Sequence, residues 1–192
     1  MAVTQSNNLL ISTEESRLQQ ISINTDTLTD SVYALKSIVN TAVHITRDNK
    51  VLVGGSGKGR KVVILMNQNG DHEGVYELDQ HKQPIFDFAW RTTCTRNGNI
   101  HVVDRKSEGG GRVVVLGQGS DIINTYTGDS EINKDITFRP VDIMTTPRDN
   151  VIVADPGPHT LHVLNNAGML MTYYKTNEIN TVFFHVLLHS HQ

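Results

Sequence analysis

The chain has a single cysteine, Cys94, among its 192 residues. One thiol closes no intramolecular disulfide and builds no zinc finger or RING-type site, each of which needs several thiolates. An excess of basic charge is also missing: 17 Lys and Arg face 20 Asp and Glu, a net charge of −3. That excludes a basic nucleic-acid tail and gives no ground for DNA as a partner. Long apolar runs are absent as well, since the best one, 182–188, is interrupted by His185 and falls far short of the roughly 20 residues a membrane helix needs. The first ten residues put no positive charge ahead of an apolar stretch, so no secretory signal is read there. The expectation is a soluble, cytoplasmic protein without membrane contact. Alanine, the best helix former, occurs only 6 times. Its scarcity argues against a helical protein.

What is present points to strands. Val, Ile and Thr make up 54 residues, 28% of the chain, and β-branched side chains suit a pleated sheet. Three segments also align with one another. The first runs Thr46-Arg47-Asp48-Asn49-Lys50-Val51-Leu52-Val53-Gly54-Gly55, then a glycine loop, then Lys61-Val62-Val63-Ile64-Leu65. The second runs Thr95-Arg96-Asn97-Gly98-Asn99-Ile100-His101-Val102-Val103-Asp104, another glycine loop, then Arg112-Val113-Val114-Val115-Leu116. The third runs Pro147-Arg148-Asp149-Asn150-Val151-Ile152-Val153-Ala154-Asp155, a Pro/Gly loop, then Thr160-Leu161-His162-Val163-Leu164. Lys50, Asn99 and Asn150 are equivalent, so the repeat is about 50 residues, in the propeller range.

Within each unit, β-branched runs alternate with Asp-Asn, Asn-Gly or Gly-rich turns, the pattern of consecutive hairpins. Each unit reads as one four-stranded blade, with strands a to d from the inside outward. The fold class is therefore all-β, an incomplete β-propeller of four-stranded antiparallel blades. The divisions expected are a partial blade at 1–38 that lacks strand a, blades at 39–86, 87–137 and 138–178, and a divergent tail at 179–192. The tail departs from the repeat and reads as a truncated or read-through end. Strands b and c are expected at 51–54 and 62–65, at 100–103 and 113–116, and at 151–154 and 161–164.

The motifs Trp90-x-Thr92-Thr93, Gly98-Asn99-Ile100-x-Val102-Val103-Asp104, Gly111 to Gly119 and Arg139 to Pro147 resemble those of the carboxy-terminal propeller of tripartite-motif proteins. So do Asp149 to Asp155 and His159 to Asn165, and the likeness is to the expanded invertebrate members with NHL-like repeats. The resemblance covers about Leu9 to Glu178. In that family a RING, B-boxes and a coiled coil precede the propeller, and the RING makes the protein an E3 ubiquitin ligase. The resemblance implies that this chain is the non-catalytic, substrate-recruiting part, not itself an enzyme, with a protein partner or ubiquitination substrate. Some NHL propellers bind single-stranded RNA, which is the alternative.

Other motifs have plainer readings. Gly54 to Arg60 resembles a phosphate loop, but Leu52 stands where its first glycine belongs, and a strand rather than a helix follows, so the anion-holding helix terminus is missing. His159-x-x-His162 and His185-x-x-x-His189-x-His191 have metal-like spacing without a supporting thiolate or carboxylate. No metal, no cofactor and no catalytic residue is assigned. Cys94 is expected to be a small buried hydrophobe in an inner strand. Asp104 and Asp155, which end strand b in two units, are expected to accept backbone N–H bonds in the loops that follow.

Charge on the loops provides the candidate binding face. The loops between strands b and c carry Lys58, Arg60, Lys61, Arg105, Lys106 and Arg112, and the a-to-b turns at the other end carry Arg47, Arg96 and Arg148 as an alternative face. Such cations suit an acidic protein or RNA phosphates. Phe86, Trp90 and Tyr126 are the aromatic candidates for stacking a base, or else core side chains.

Overall fold

The structure, a computed structural model, describes residues 1–107, 109–117, 119 and 121–176. The tail expected at 179–192 and the His185, His189 and His191 set lie outside these residues. Among the described residues sixteen strands form four antiparallel sheets, each ordered as its strands follow in the chain, and no helix occurs. The chain divides into two compact units, Met1–Thr92 and Thr93–Gln192.

The first unit holds β1 (Ala2–Val3), β2 (Asn8–Ile11), β3 (Arg17–Ser22) and β4 (Thr27–Ala34), then β5 (Val39–Ile45), β6 (Val51–Gly57), β7 (Arg60–Met66) and β8 (His72–Tyr76). Strand β1 pairs with β2 through Ala2 opposite Leu10 and Val3 opposite Leu9. The first sheet therefore has a strand a, where the expectation is a blade that lacks it. Two residues are too few to show a period, which is why it was invisible. The core of this unit joins both sheets: Leu10, Leu18, Tyr33 and Leu35 pack with Val51, Val53, Val62, Ile64 and Met66. A blade buries little alone, so this contact between sheets supplies the apolar burial, about 1.5–3 kcal/mol per large side chain.

The second unit follows from β9 (Ala89–Cys94), through which the divide between the units passes, with β10 (Ile100–Arg105), β11 (Gly111–Leu116) and β12 (Ile122–Tyr126). Its second sheet is β13 (Asp142–Thr145), β14 (Val151–Asp155), β15 (Thr160–Leu164) and β16 (Leu170–Lys175). All six expected b and c runs are strands, paired as hairpins with Val51 opposite Met66, Ile100 opposite Leu116 and Val151 opposite Leu164. Cys94 is the last residue of β9 and half-buried rather than central and buried.

The repeated a-to-b turns show why the repeat is spelled as it is. Thr46, Thr95 and Thr146 each donate their backbone N–H to the carbonyl of Lys50, Asn99 and Asn150. The threonine hydroxyl then binds inside the turn, to Asp48 Oδ1 at 2.6 Å in the first and to Asn97 Oδ1 at 2.7 Å in the second. Asn49, Gly98 and Asp149 take φ of 60°, 85° and 70°, the left-handed conformation that Gly, Asn and Asp tolerate best.

Candidate functional site

Antiparallel strands a to d place the b-to-c loop and the d-to-a connection at one end of a sheet and the other two turns at the opposite end. In the first unit Gly57 pairs with Arg60, so the b-to-c loop is a two-residue turn with Lys58 at φ 51° and Gly59 at φ 77°. Both residues left-handed is the type I′ geometry that matches strand twist. The glycine run is thus a hairpin, not a phosphate cradle. Arg60 leaves this turn to grip Glu77 with both carboxylate oxygens, at 2.8 and 2.5 Å. That bond and the opposite charge raise Arg60 and hold Glu77 below the usual carboxylate range. Lys58 is exposed and Lys61 half-buried, and among the described residues neither has an ion-pair partner.

In the second unit Arg112 is also taken: its Nε donates to Asp104 Oδ2 at 2.8 Å, and Asp104 is fully buried. Arg105 is half-buried and Lys106 is exposed. Of the six candidate cations, then, two are neutralised by named carboxylates. The alternative set is exposed throughout. Arg96 binds the carbonyl of Pro147 at 2.9 Å, and its backbone N–H donates to Asp149 Oδ1 at 2.7 Å, so it ties neighbouring turns together.

Asp155 does not serve the loop after it. Its Oδ1 accepts the backbone N–H of Arg139 at 3.3 Å, and its Oδ2 accepts Asn133 Nδ2 at 2.8 Å. Both donors belong to the connection between β12 and β13. The backbone donors of the hairpin loop are replaced because the connection folds back over the end of β14. Asp129 caps the same connection by accepting the N–H of Glu131 and Ile132 at 3.0 and 3.2 Å. Phe138 anchors it against Tyr126 and His162, with ring centroids 5.3 and 5.2 Å away.

His162 is fully buried, with Nδ1 2.8 Å from the Tyr126 hydroxyl and Nε2 3.6 Å from Asp155 Oδ2. Burial pushes the Tyr126 hydroxyl up, with the carboxylates of Asp129 and Asp155 adding to it. Tyr126 therefore stays protonated. His159 sits at φ 53° in the hairpin turn, away from this buried network.

Above the connection, three loops enclose a groove of about 340 Å³ lined by Gly109, Gly110, Ile136, Thr137, Arg139 and Gly157. A Cβ on Gly110 would stand 2.8 Å from Thr137 Cγ2, and one on Gly157 would stand 2.7 Å from Ile136 Cγ2. The glycines are what let the loops approach. No local pattern points to this groove, because its walls come from three segments, 109–110, 136–139 and 157, that lie roughly 20 to 50 residues apart.

The aromatic candidates separate clearly. Phe86 and Tyr126 are buried, whereas Trp90 is half-buried, stacked on Phe88 at 5.9 Å, and carries the Arg91 guanidinium 4.3 Å from its ring centre.

No family model matches the chain, and no curated protein matches it. Solved structures do. Virginiamycin B lyase from Staphylococcus aureus, in a complex with quinupristin, superposes at TM-score 0.62 with 11% identity over 90% of this chain and 53% of its own. The Pseudomonas aeruginosa periplasmic gluconolactonase gives 0.56 with 14% identity over 82% of this chain and 49% of its own. A chain of the mitotic checkpoint complex gives 0.61 with 9% identity over 91% of this chain and 48% of its own. The chain thus spans about half the length of these structures. The expectation that the protein is not an enzyme is overturned, because a lyase and a gluconolactonase share this architecture. At these identities the likeness shows the fold alone, and that fold is a β-propeller of four-stranded antiparallel blades.

Proposed function

We propose that the chain recruits a protein partner through the b-to-c loops of its individual blades, as the propeller of the tripartite-motif E3 ubiquitin ligases that it resembles recruits a substrate. The observation that carries this reading is the selective neutralisation of charge. Arg60 and Arg112 are spent on Glu77 and Asp104, while Lys58, Lys61 and Lys106 have no ion-pair partner among the described residues. Cations left over at loop ends attract an acidic surface and set its orientation. The test is charge reversal on the full chain, with cross-linked capture of acidic proteins from cell extract as the readout. Lys58→Glu, Lys61→Glu and Lys106→Glu together are expected to abolish capture, and Arg47→Glu with Arg148→Glu to leave it intact. Capture that survives the first set, or falls equally with both, refutes the assignment.

Single-stranded RNA is the second reading, favoured by the half-buried Phe88, Trp90 and Arg91 stack. Bases stack on such planes for about 1–3 kcal/mol each. Trp90 is the sole tryptophan, so its fluorescence reports directly. Quenching by oligouridylate that weakens as salt rises supports RNA, and unchanged emission at low salt excludes it.

A further inference from the structure

The groove of the second unit is pre-built. Its Arg139 wall is fixed at the backbone, because the Arg139 N–H is held by the buried Asp155 and the Phe138 carbonyl accepts Gly111 N–H at 3.0 Å. The Arg139 side chain is exposed, and among the described residues its guanidinium meets no carboxylate. Three positions away Ile136 remains 45% exposed on the same groove. Two of its lining residues are glycines where a side chain would collide, Gly110 with Thr137 and Gly157 with Ile136, and Gly109 beside them faces open space. A cation that meets no carboxylate among the described residues, an exposed apolar side chain beside it and close-packed glycines at Gly110 and Gly157 make a subsite for a short extended segment. The volume of about 340 Å³ lies at the small end of ligand pockets, which run from about 300 to 1,000 Å³. That admits two or three residues of a peptide and no folded domain.

We propose that this groove binds an acidic side chain of the recruited protein, its carboxylate on Arg139 and a neighbouring apolar side chain on Ile136. The assignment rests on the recruitment reading above and names one contact within it. A carboxylate accepts two parallel N–H bonds from a guanidinium, which fixes direction as well as charge. Rigid walls lower the ordering cost of binding. Lys134 and Asp135, exposed on the same connection, oppose each other in charge and do not line the groove.

The test uses the full chain labelled with ¹⁵N and two capped peptides, acetyl-Gly-Leu-Glu-Gly-amide and its Gln analogue. Saturable shifts are expected at the amides of Gly109, Gly110 and Gly157 with the Glu peptide. Affinity is expected to fall roughly fivefold for the Gln analogue and for Arg139→Gln, the scale of one partly exposed ion pair. Arg139→Gln keeps the backbone bond to Asp155, so the fold persists, and the rest of its amide spectrum reports that. Arg148→Gln, at the other end of its sheet, is expected to bind as the native chain does. Equal affinity for the two peptides, native binding by Arg139→Gln, or no shift at the three glycines overturns the proposal. Retention of partner capture by Arg139→Gln, alongside its loss in the lysine reversal, sinks the groove and leaves recruitment standing. Peptide binding in the groove by a chain that captures no partner does the reverse.

Discussion

His101 makes the second unit sensitive to acid. It lies in β10 with no exposed surface, its Nε2–H donates to the Asn166 carbonyl at 3.2 Å, and its buried Nδ1 accepts no hydrogen bond. Burial lowers it from 6.5 to about 4, against smaller raising effects from the Asn166 carbonyl and the Asp149 charge. The folded state thus binds the proton later than the unfolded chain. The stability this group contributes is complete above about pH 6.5 and is lost as pH falls toward 4. Integrating between the two values gives a loss of about 2 kcal/mol at pH 5 and about 3 kcal/mol at pH 4. Urea unfolding at a series of pH values tests this against His101→Gln, whose amide keeps a donor for Asn166 but does not titrate. The variant has its own stability at pH 7, so only the slope counts. From pH 7 to 5 the native chain is expected to lose about 2 kcal/mol more than the variant. Parallel curves would refute the argument, since every other titrating group is shared.

Asp155→Ala strips the acceptor from the hydrogen bonds to Asn133 and to the Arg139 N–H beneath the groove, and a loss of about 3 kcal/mol is expected by chemical denaturation, with broadened Ile136 and Thr137 amides. Gly168→Ala combines φ 78° with a Cβ 2.5 Å from Val115 Cγ2, whereas Gly59→Ala has φ 77° and open space. Both lose the roughly 1 kcal/mol of left-handed conformation, and Gly168→Ala is expected to lose at least about as much again in its melting curve from the clash. Arg60→Ala removes an exposed pair with Glu77 and should shift stability by under about 1 kcal/mol, with the shift vanishing in high salt.

How much of this was legible follows from sequence distance. The hairpins were readable because their signals are local: the turn threonine, the positive-φ residue and the β-branched run all fall within about ten residues. Arg112 opposite Asp104 was within reach by the same logic, since the two are paired in register across one hairpin. Arg60 was not, because Glu77 lies 17 residues on, beyond the next strand. Counting cations in the sequence therefore overstates the free charge. The connection between β12 and β13 was opaque for a further reason. Its order comes from Asp155, 16 residues past Arg139 and 22 past Asn133, and no period links those positions.

Gly55, Asp104 and Asp155 occupy one repeat position, and comparing them shows what the position does. A Cβ at Gly55 would come within 2.5 Å of Leu35 Cδ1, 2.7 Å of Ile38 Cγ2 and 2.9 Å of the Val39 carbonyl. There the chain entering strand a packs directly against strand b, and a side chain has no room. At Asp155 the entering chain stands further off and the carboxylate spans the gap, reaching Arg139 N–H. Glycine and aspartate, which share no chemistry, thus perform the same task of fastening the entry to strand a onto the end of strand b. At Asp104 one carboxylate oxygen accepts the Arg112 Nε–H from the facing strand at 2.8 Å, so that cation is neutralised within its own hairpin, whereas Asp155 holds Arg139 by its backbone N–H and the Arg139 guanidinium meets no carboxylate among the described residues.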